Sequence, residues 1–596
     1  MTIPLEVLFG NPEKASPRLS PDGKRVAWLA PDEGVLNIWV DGKAVTRDRG
    51  RGIRSYFWAE DSRTLLYIQD KDGDENWHLW KASSGGGAAA VDLTPFPGVQ
   101  AQVVATDPKF PHEVLITLNK RDARLHDVFR CDIRTGALAP VAENPGNVVG
   151  WLADEDFRIR GAKGMRPDGG TELLVRDGGE GPWRALMSWG PDDQGGAHGF
   201  APGGRSLYLE SSHDSDATQL YEVSLDGKTS RVLAASPGAD LGGVLMHPRD
   251  YHAEAAAFEH DRLRWQVLDE RLKPDFDALQ AQAAGDVRLA SRDDDDTAWL
   301  VLDTSDTKAP RFLKYERKTR KTELLFSTRP KLDTYRLSAM KPVKITARDG
   351  LILQGYLTIP AGGSRPRPLV LHVHGGPWVR DVWGFHPEIQ WLADRGYAVL
   401  QVNYRGSMGF GKKFLHAGDR EWGAKMQDDL TDAALWAVKE GYADRERLAI
   451  YGGSYGGYAA LAGAAFTPDL YRCAVYIVGP SNLITLVRSI PPYWAPMKRI
   501  FDLRVGDVDK EEDFLKSRSP LFSADKIKIP LLIAQGANDP RVKQAESEMI
   551  VEALRKKGKD VEYLLFPDEG HGFARPENRL KFYAAAERFL EKHLKG

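Results

Sequence analysis

The first 335 residues repeat one small β pattern, and that repetition limits the fold more than any other feature of the chain. In PRLSPDGKRVAWLAPDEGVLNIWVDG, Pro17 to Gly42, the turn Pro21-Asp22-Gly23 precedes RVAWLA and then NIWV. Proline presets φ, glycine accepts a positive φ, and the flanking runs have β-type composition. The theme returns in FWAEDSRTLLYIQD with NWHLWK, TDPKFPHEVLITLN with DVFRCDIRTG, and WLADEDFRIRG with TELLVRD. It returns again in FAPGGRSLYLES with QLYEVSLDGK, MHPRDYHAEAAAFEH with WQVLDE, and DTAWLVLDT with RFLKYERKT. These make about seven units at roughly 40 to 50 residues, the spacing of propeller blades that bury their faces only on one another. A row of β-sandwich domains is the competing arrangement. Even spacing without a composition break favours an all-β propeller over residues 1–335, with the first residues free to pack on the C-terminal domain.

From about Lys341 the logic changes to strand–helix alternation. LVLHV (369–373), AVLQVN (398–403), RLAIY (447–451), AVYIV (474–478), PLLIAQ (530–535) and EYLLF (562–566) are short apolar runs. Such runs suit strands buried on both faces. Helical patterns separate them, as in DDLTDAALWAVKEG, YAALAGAAF and QAESEMIVEALRKKG, where Gly558 is a C-cap candidate. Residues 336–596 are therefore expected to form a mostly parallel, doubly wound α/β sheet.

In such a sheet, ligands sit outside the carboxyl ends of the strands. Gly452-Gly453-Ser454-Tyr455-Gly456 lies there, between RLAIY and a helix, and fits G-x-S-x-G in its strand–turn–helix context. A serine nucleophile needs a base, and the base an orienting acid. Asp539 follows PLLIAQ and His571 follows EYLLF, so Ser454, Asp539 and His571 come in the chain order of α/β-hydrolases. The oxyanion donors expected are the Tyr455 N–H and, from His374-Gly375-Gly376-Pro377, the Gly376 N–H, with Gly375 as runner-up.

Other compositions of chemistry are weaker. His372 and His374 alternate on a strand, but no third metal ligand stands at sensible spacing. Asp70-Lys71-Asp72-Gly73-Asp74 opens like a calcium loop, yet Glu75 and Lys81 occupy the positions that need glycine and glutamate. Asp293 to Asp296 reads as a solvated turn. No metal and no cofactor is expected. With 81 basic and 84 acidic residues, a net of −3, neither a nucleic-acid nor a membrane-surface partner is implied. The two distant cysteines, Cys131 and Cys473, and an N-terminus without a basic, apolar leader suggest a cytoplasmic protein.

Propeller, HGGP, NYRGSMGFG, GGSYGGY, NDPRV and DEGHGF together resemble the prolyl oligopeptidase family of serine peptidases, nearest its acylaminoacyl-peptidase-like and dipeptidyl-peptidase-like branches. The resemblance implies a Ser454–His571–Asp539 triad with Tyr455 and Gly376 as oxyanion donors. It implies that Arg541 binds a carbonyl of the substrate, that Tyr493 and Trp494 in IPPYWAPMKRIF wall the specificity pocket, and that short peptides are the substrates of an oligopeptidase or of an N-terminal exopeptidase releasing acylaminoacyl, aminoacyl or dipeptidyl units. Where prolyl oligopeptidase itself has an oxyanion tyrosine, this chain has His374, which speaks against strict post-proline cleavage. Glu75 is the candidate to hold a substrate amino terminus, although a solvated propeller loop is its plainer reading. An esterase or amidase acting on non-peptide substrates, and a scaffold with an inactive hydrolase, are the rival functions. A homo-oligomer is compatible with the sequence, which is otherwise silent on assembly.

Overall fold

The computed structural model describes residues 2–362 and 365–595. Among them the strands form eight sheets. Seven begin at Ala15, Ser55, Ala101, Val148, Gly195, Leu241 and Asp286. Six of these have four strands and the sixth in order has three, all joined antiparallel to their sequence neighbours. They are the blades of a seven-bladed propeller.

The apolar cores of the propeller lie between blades. Ala27, Leu29, Ile38 and Val40 of the first blade meet Tyr56, Trp58, Leu65 and Tyr67 of the second. Leu66 and Leu79 of the second meet Val114, Ile116 and Cys131 of the third. A lone blade would leave both faces wet, which is why the units must recur. The joint between the last and first blades is the smallest core, Leu19 with Ala298 and Leu300. The Leu19 N–H donates there to Ser291 Oγ at 3.0 Å, and no strand is shared across that joint among the described residues.

The eighth sheet has strands β1 (Met340–Thr346), β2 (Ile352–Thr358), β3 (Arg367–Val373), β4 (Ala398–Asn403), β5 (Ala443–Gly453), β6 (Cys473–Ile477), β7 (Leu531–Gly536) and β8 (Val561–Phe566). Their order is β1-β2-β4-β3-β5-β6-β7-β8. β1 and β2 are antiparallel and the pairs from β4 to β8 are parallel. All six residues of β4 and of β7 are buried, the burial on both faces that their unbroken apolar runs imply. The hairpin β1–β2 has no such run, and the sequence reading passed over it.

Helices α1 (Leu5–Phe9), α2 (Pro387–Asp394), α3 (Lys425–Lys439), α4 (Tyr455–Phe466), α5 (Gln544–Lys556) and α6 (Pro576–Leu594) cover the sheet. Leu430 of α3, Leu461 of α4 and Ile550 of α5 pack on one face. Leu8 and Phe9 of α1, Trp391 of α2 and Phe589 of α6 pack on the other, so the first residues of the chain belong to the core of the last domain. Gly558 follows α5 with φ +63°, a left-handed position that glycine adopts freely. This is an α/β-hydrolase fold.

Turns between the second and third strands of the blades meet the carboxyl-end loops of the sheet. The Lys412 N–H donates to the Asp216 carbonyl at 2.9 Å. Arg380 Nη1 donates to the Glu259 carbonyl at 2.8 Å, and Gln390 Nε2 to the Asp306 carbonyl at 3.0 Å. These contacts set the propeller over the carboxyl end of the sheet, the end at which Ser454, Asp539 and His571 lie.

Candidate active site

β5 runs through Gly453 straight into Ser454, which has φ 57° and ψ −121° and starts α4. The strain of this bend is tolerable because two glycines flank it. A β-carbon on Gly452 would lie 2.6 Å from the Val373 carbonyl oxygen, and one on Gly456 only 2.1 Å from the same atom. Gly453 is different, since its nearest neighbour would be an ordinary 3.8 Å away. The steric demand thus falls on the outer glycines of G-x-S-x-G. The Ser454 N–H donates to the Ile477 carbonyl at 2.8 Å, tying the bend to β6.

His571 Nε2 is 3.0 Å from Ser454 Oγ, and His571 Nδ1 is 2.7 Å from Asp539 Oδ2. Asp539 is 2% exposed. Its Oδ1 accepts from the Arg541 and Val542 N–H groups, each at 2.9 Å, which fixes the carboxylate before the imidazole arrives. The three residues come from the ends of β5, β7 and β8.

Tyr455 is the first residue of α4, so its N–H has no acceptor within the helix and sits at the positive end of the dipole. Its ring is buried beside Tyr404, Trp422 and Tyr458, and only the backbone serves the site. The loop after β3 runs alongside, with the Gly375 Cβ direction 3.3 Å from the Ser454 Cβ. Gly376 has φ +111°, a conformation that admits glycine. His374 turns inward. Its Nε2 is 3.1 Å from Ser407 Oγ, its ring stacks on Tyr404 at 4.5 Å, and burial lowers its pKa. These contacts hold the ring of His374 inside the fold.

Glu75 corrects the sequence reading. It is not on a solvated loop: it is 8% exposed, with φ 59°. Its carboxylate accepts from Tyr493 Oη at 2.9 Å and from Arg541 Nε at 2.9 to 3.0 Å. The loop is buried because the hydrolase covers it. Tyr493 and Trp494 are half-buried on a 3₁₀ turn, Pro492–Met497, outside the apolar cores. Burial, with the Glu75 charge beside it, raises the pKa of Tyr493. Glu75, Tyr493, Trp494 and Arg541 line an interdomain cavity of about 750 Å³, together with Phe57, Trp77, Gln100, His126 and Trp151 of the propeller. Burial lowers the His126 pKa to about 4. Sequence reasoning did not reach these propeller residues, because they are single side chains on three different blades.

His372 and His374 do not share a ligand. His372 Nε2 lies 3.0 Å from Glu388 Oε2. Among the described residues, the groups near enough to share an ion are on blades six and seven: His247, Asp250, His252, Glu254, Asp269 and Asp296. Arginines already pair with three of the four carboxylates, Arg292 with Glu254 and Asp296 and Arg271 with Asp269. The run Asp293–Asp296 is likewise less solvated than its sequence suggests. Asp293 caps Thr297 and Ala298, and Asp296 pairs with Arg292 and Arg317.

The model of the "Prolyl oligopeptidase family" matches residues 383–596. Dipeptidyl aminopeptidase BIII of Pseudoxanthomonas mexicana is 44% identical over all of this chain and 89% of its own. Dipeptidyl peptidase family member 6 of Caenorhabditis elegans is 36% identical over all of this chain and 87% of its own. A puromycin-hydrolyzing peptidase of Mycobacterium tuberculosis shares the fold with a TM-score of 0.81 at 22% identity, over 99% of this chain and 96% of that one.

Proposed function

The chain belongs to the prolyl oligopeptidase family of serine peptidases, and from that premise we propose that it releases dipeptides from peptides with a free amino terminus. His571 Nε2 takes the proton of Ser454 Oγ as Oγ attacks the scissile carbonyl. Asp539 holds the tautomer that leaves Nε2 free and stabilises the imidazolium. The N–H groups of Tyr455 and Gly376 receive the developing oxyanion. Nε2–H then protonates the departing amine. Water, deprotonated by the same nitrogen, attacks the acyl-enzyme and frees the dipeptide and Ser454.

The observation that carries the specificity is the Glu75 carboxylate, brought by the propeller to the cavity wall and joined to Arg541, two residues from Asp539. A carboxylate there suits an ammonium group, and the adjacent guanidinium suits a peptide carbonyl through its fixed fork of donors. Together they would stop the amino end of a substrate at a set depth. The two long relatives, both named for dipeptidyl activity, support the same reading. Both cysteines are free and buried, which supports a reducing compartment; fractionation of the source cells tests that part.

The test is a panel of coumarin amides carrying one free residue, a free dipeptide or an acetylated residue or dipeptide, with an acyl ester beside them. The free dipeptidyl amide should have the highest kcat/KM. Preference for an acetylated amide would replace the reading with acylaminoacyl release, and preference for the ester would replace it with an esterase. Ser454→Ala should lower kcat by about 10⁴-fold or more on every substrate.

A further inference from the structure

Two arginines, Arg51 and Arg54, precede the first strand of blade two, Ser55–Trp58, and their surroundings differ. The Arg51 side chain, 9% exposed, pairs with Asp70 at 3.0 Å and with Glu569 at 3.3 Å. Arg54 has no such partner. Among the described residues, no carboxylate lies within 4.0 Å of its guanidinium, and no other side chain or carbonyl accepts a hydrogen bond from it. Its side chain is open to a recess of about 10 Å³ that also touches Ile68, Asp70 and Trp77. Ile68 and Trp77 line the interdomain cavity as well, so the recess adjoins that cavity on the side of blade two.

The charges around Arg54 do not balance. The nearest are Arg51 and Arg579, both cationic, and Glu569 and Asp70, which Arg51 already holds. Three guanidiniums thus face two carboxylates. Burial first, and then the two neighbouring arginines, lower the pKa of Arg54, yet a guanidinium stays charged at any ordinary pH. A cation that loses hydration and gains no partner is costly. A carboxylate entering the recess would remove that cost and meet the fork of donors that fits it.

The size and place of the recess narrow the identity of the anion. Space for about one water-sized group admits the tip of a side chain, and excludes a phosphate or a whole residue. The recess is also tied to the proposed amino-terminal anchor. Asp70 Oδ2 accepts from the Glu75 N–H at 3.2 Å, and Trp77 stands two residues beyond Glu75. The side chain of a substrate's first residue leaves the same carbon as the ammonium that Glu75 would hold, so it is the part of the substrate delivered to this wall.

We infer that Arg54 selects the first residue of the substrate: its guanidinium pairs with an acidic side chain there, and dipeptides that begin with glutamate are released in preference. The inference rests on the dipeptidyl reading with Glu75 as anchor. It adds to that reading a substrate class, peptides with an acidic amino-terminal residue.

The test compares Glu-Ala, Gln-Ala and Lys-Ala coumarin amides on the full-length protein, with Arg54→Met and Arg54→Lys beside the wild type. Glutamine has the shape of glutamate without the charge, and hydrogen bonds to a charged group favour the charged partner enough to shift kcat/KM by about 10- to 100-fold. The wild type should therefore prefer Glu-Ala to Gln-Ala by about that factor, with Lys-Ala below both. Arg54→Met should bring the Glu-to-Gln ratio within about threefold of one, and Arg54→Lys should keep part of it, because lysine has the charge without the fork. A wild-type ratio under about threefold, or a ratio that Arg54→Met does not lower, would overturn the inference. If Arg54→Met does not fold, the wild-type ratio and its fall in Arg54→Lys decide. Free Gln-Ala amide against its acetylated form separates the two levels. Preference for the acetylated form sinks the dipeptidyl reading and Arg54 with it, whereas preference for the free form without selection of glutamate sinks Arg54 alone.

Discussion

Glu75→Gln is the substitution that probes the substrate assignment most directly. Glutamine keeps the shape of the side chain and an oxygen for Tyr493 Oη and Arg541 Nε, now 2.9 to 3.0 Å away. What it removes is the charge. An ammonium about 3 Å from a carboxylate at an effective dielectric of about 20 gains roughly 5 kcal/mol. Arg541 already shares that carboxylate, and dehydrating the ammonium offsets more, which leaves about 2 to 4 kcal/mol for the substrate. At 1.4 kcal/mol per decade, kcat/KM for a free dipeptidyl amide should fall by about 30- to 700-fold. The acetylated analogue carries no charge to lose, so its kcat/KM should change less than about threefold. The measurement is the ratio of the two kcat/KM values in wild type and variant, with a thermal melt to show that the interdomain contact survives. An equal fall on both substrates, or none on either, would refute the ammonium anchor.

Three further outcomes are expected. Gly456→Ala places a β-carbon 2.1 Å from the Val373 oxygen; it should abolish fluorophosphonate labelling or unfold the protein, while Gly453→Ala, with 3.8 Å of room, should retain a folded elbow by circular dichroism. Glu388 is half-buried, and its desolvation alone would raise its pKa, but hydrogen bonds from His372 and Tyr451 outweigh this and hold it at about 2. Burial likewise pushes His372 down, and its bond to Glu388 outweighs that and raises it. The carboxylate's contribution is present above pH 4.5 and lost as pH falls towards about 2; the imidazolium's is complete below pH 6.5 and lost as pH rises through its raised value. Urea midpoints across this range should therefore peak between these limits in wild type, and Glu388→Gln should lose on the order of 3 kcal/mol there with a flatter profile. Arg541→Met should lower kcat/KM for dipeptidyl amides by about 10-fold or more and leave p-nitrophenyl acetate hydrolysis within about twofold.

The parts of this molecule that a linear reading reaches are those set by local rules. Ser454, Asp539 and His571 each lie shortly past a strand that ends in a short, mostly apolar run, so finding the run points to the loop that holds the residue. The blades were visible for the same reason, because turn and strand recur at a constant interval. Glu75 and Arg51 obey no local rule. Their partners Arg541 and Glu569 stand 466 and 518 residues away. Only the stacking of a propeller on a sheet brings them together, and a buried loop has the same composition as a solvated one until its cover is known. The glycines show the same division: Gly452 and Gly456 belong to a motif, whereas Gly73, whose β-carbon would lie 2.3 Å from the Gly570 nitrogen, belongs to none.

The N-terminal helix α1 shares its core with α2 and α6 of the last domain. Both ends of the propeller chain are thus moored to one body, and the ring's least apolar joint, at Leu19, Ala298 and Leu300, lies between those moorings. Mechanically, the hydrolase serves as the buckle of an otherwise unfastened belt. Detaching the first ten residues, by truncation or by a charge at Leu8, should let the belt slacken at that joint first. Hydrogen exchange would then spread from blades one and seven before the middle blades, while the hydrolase sheet stays protected.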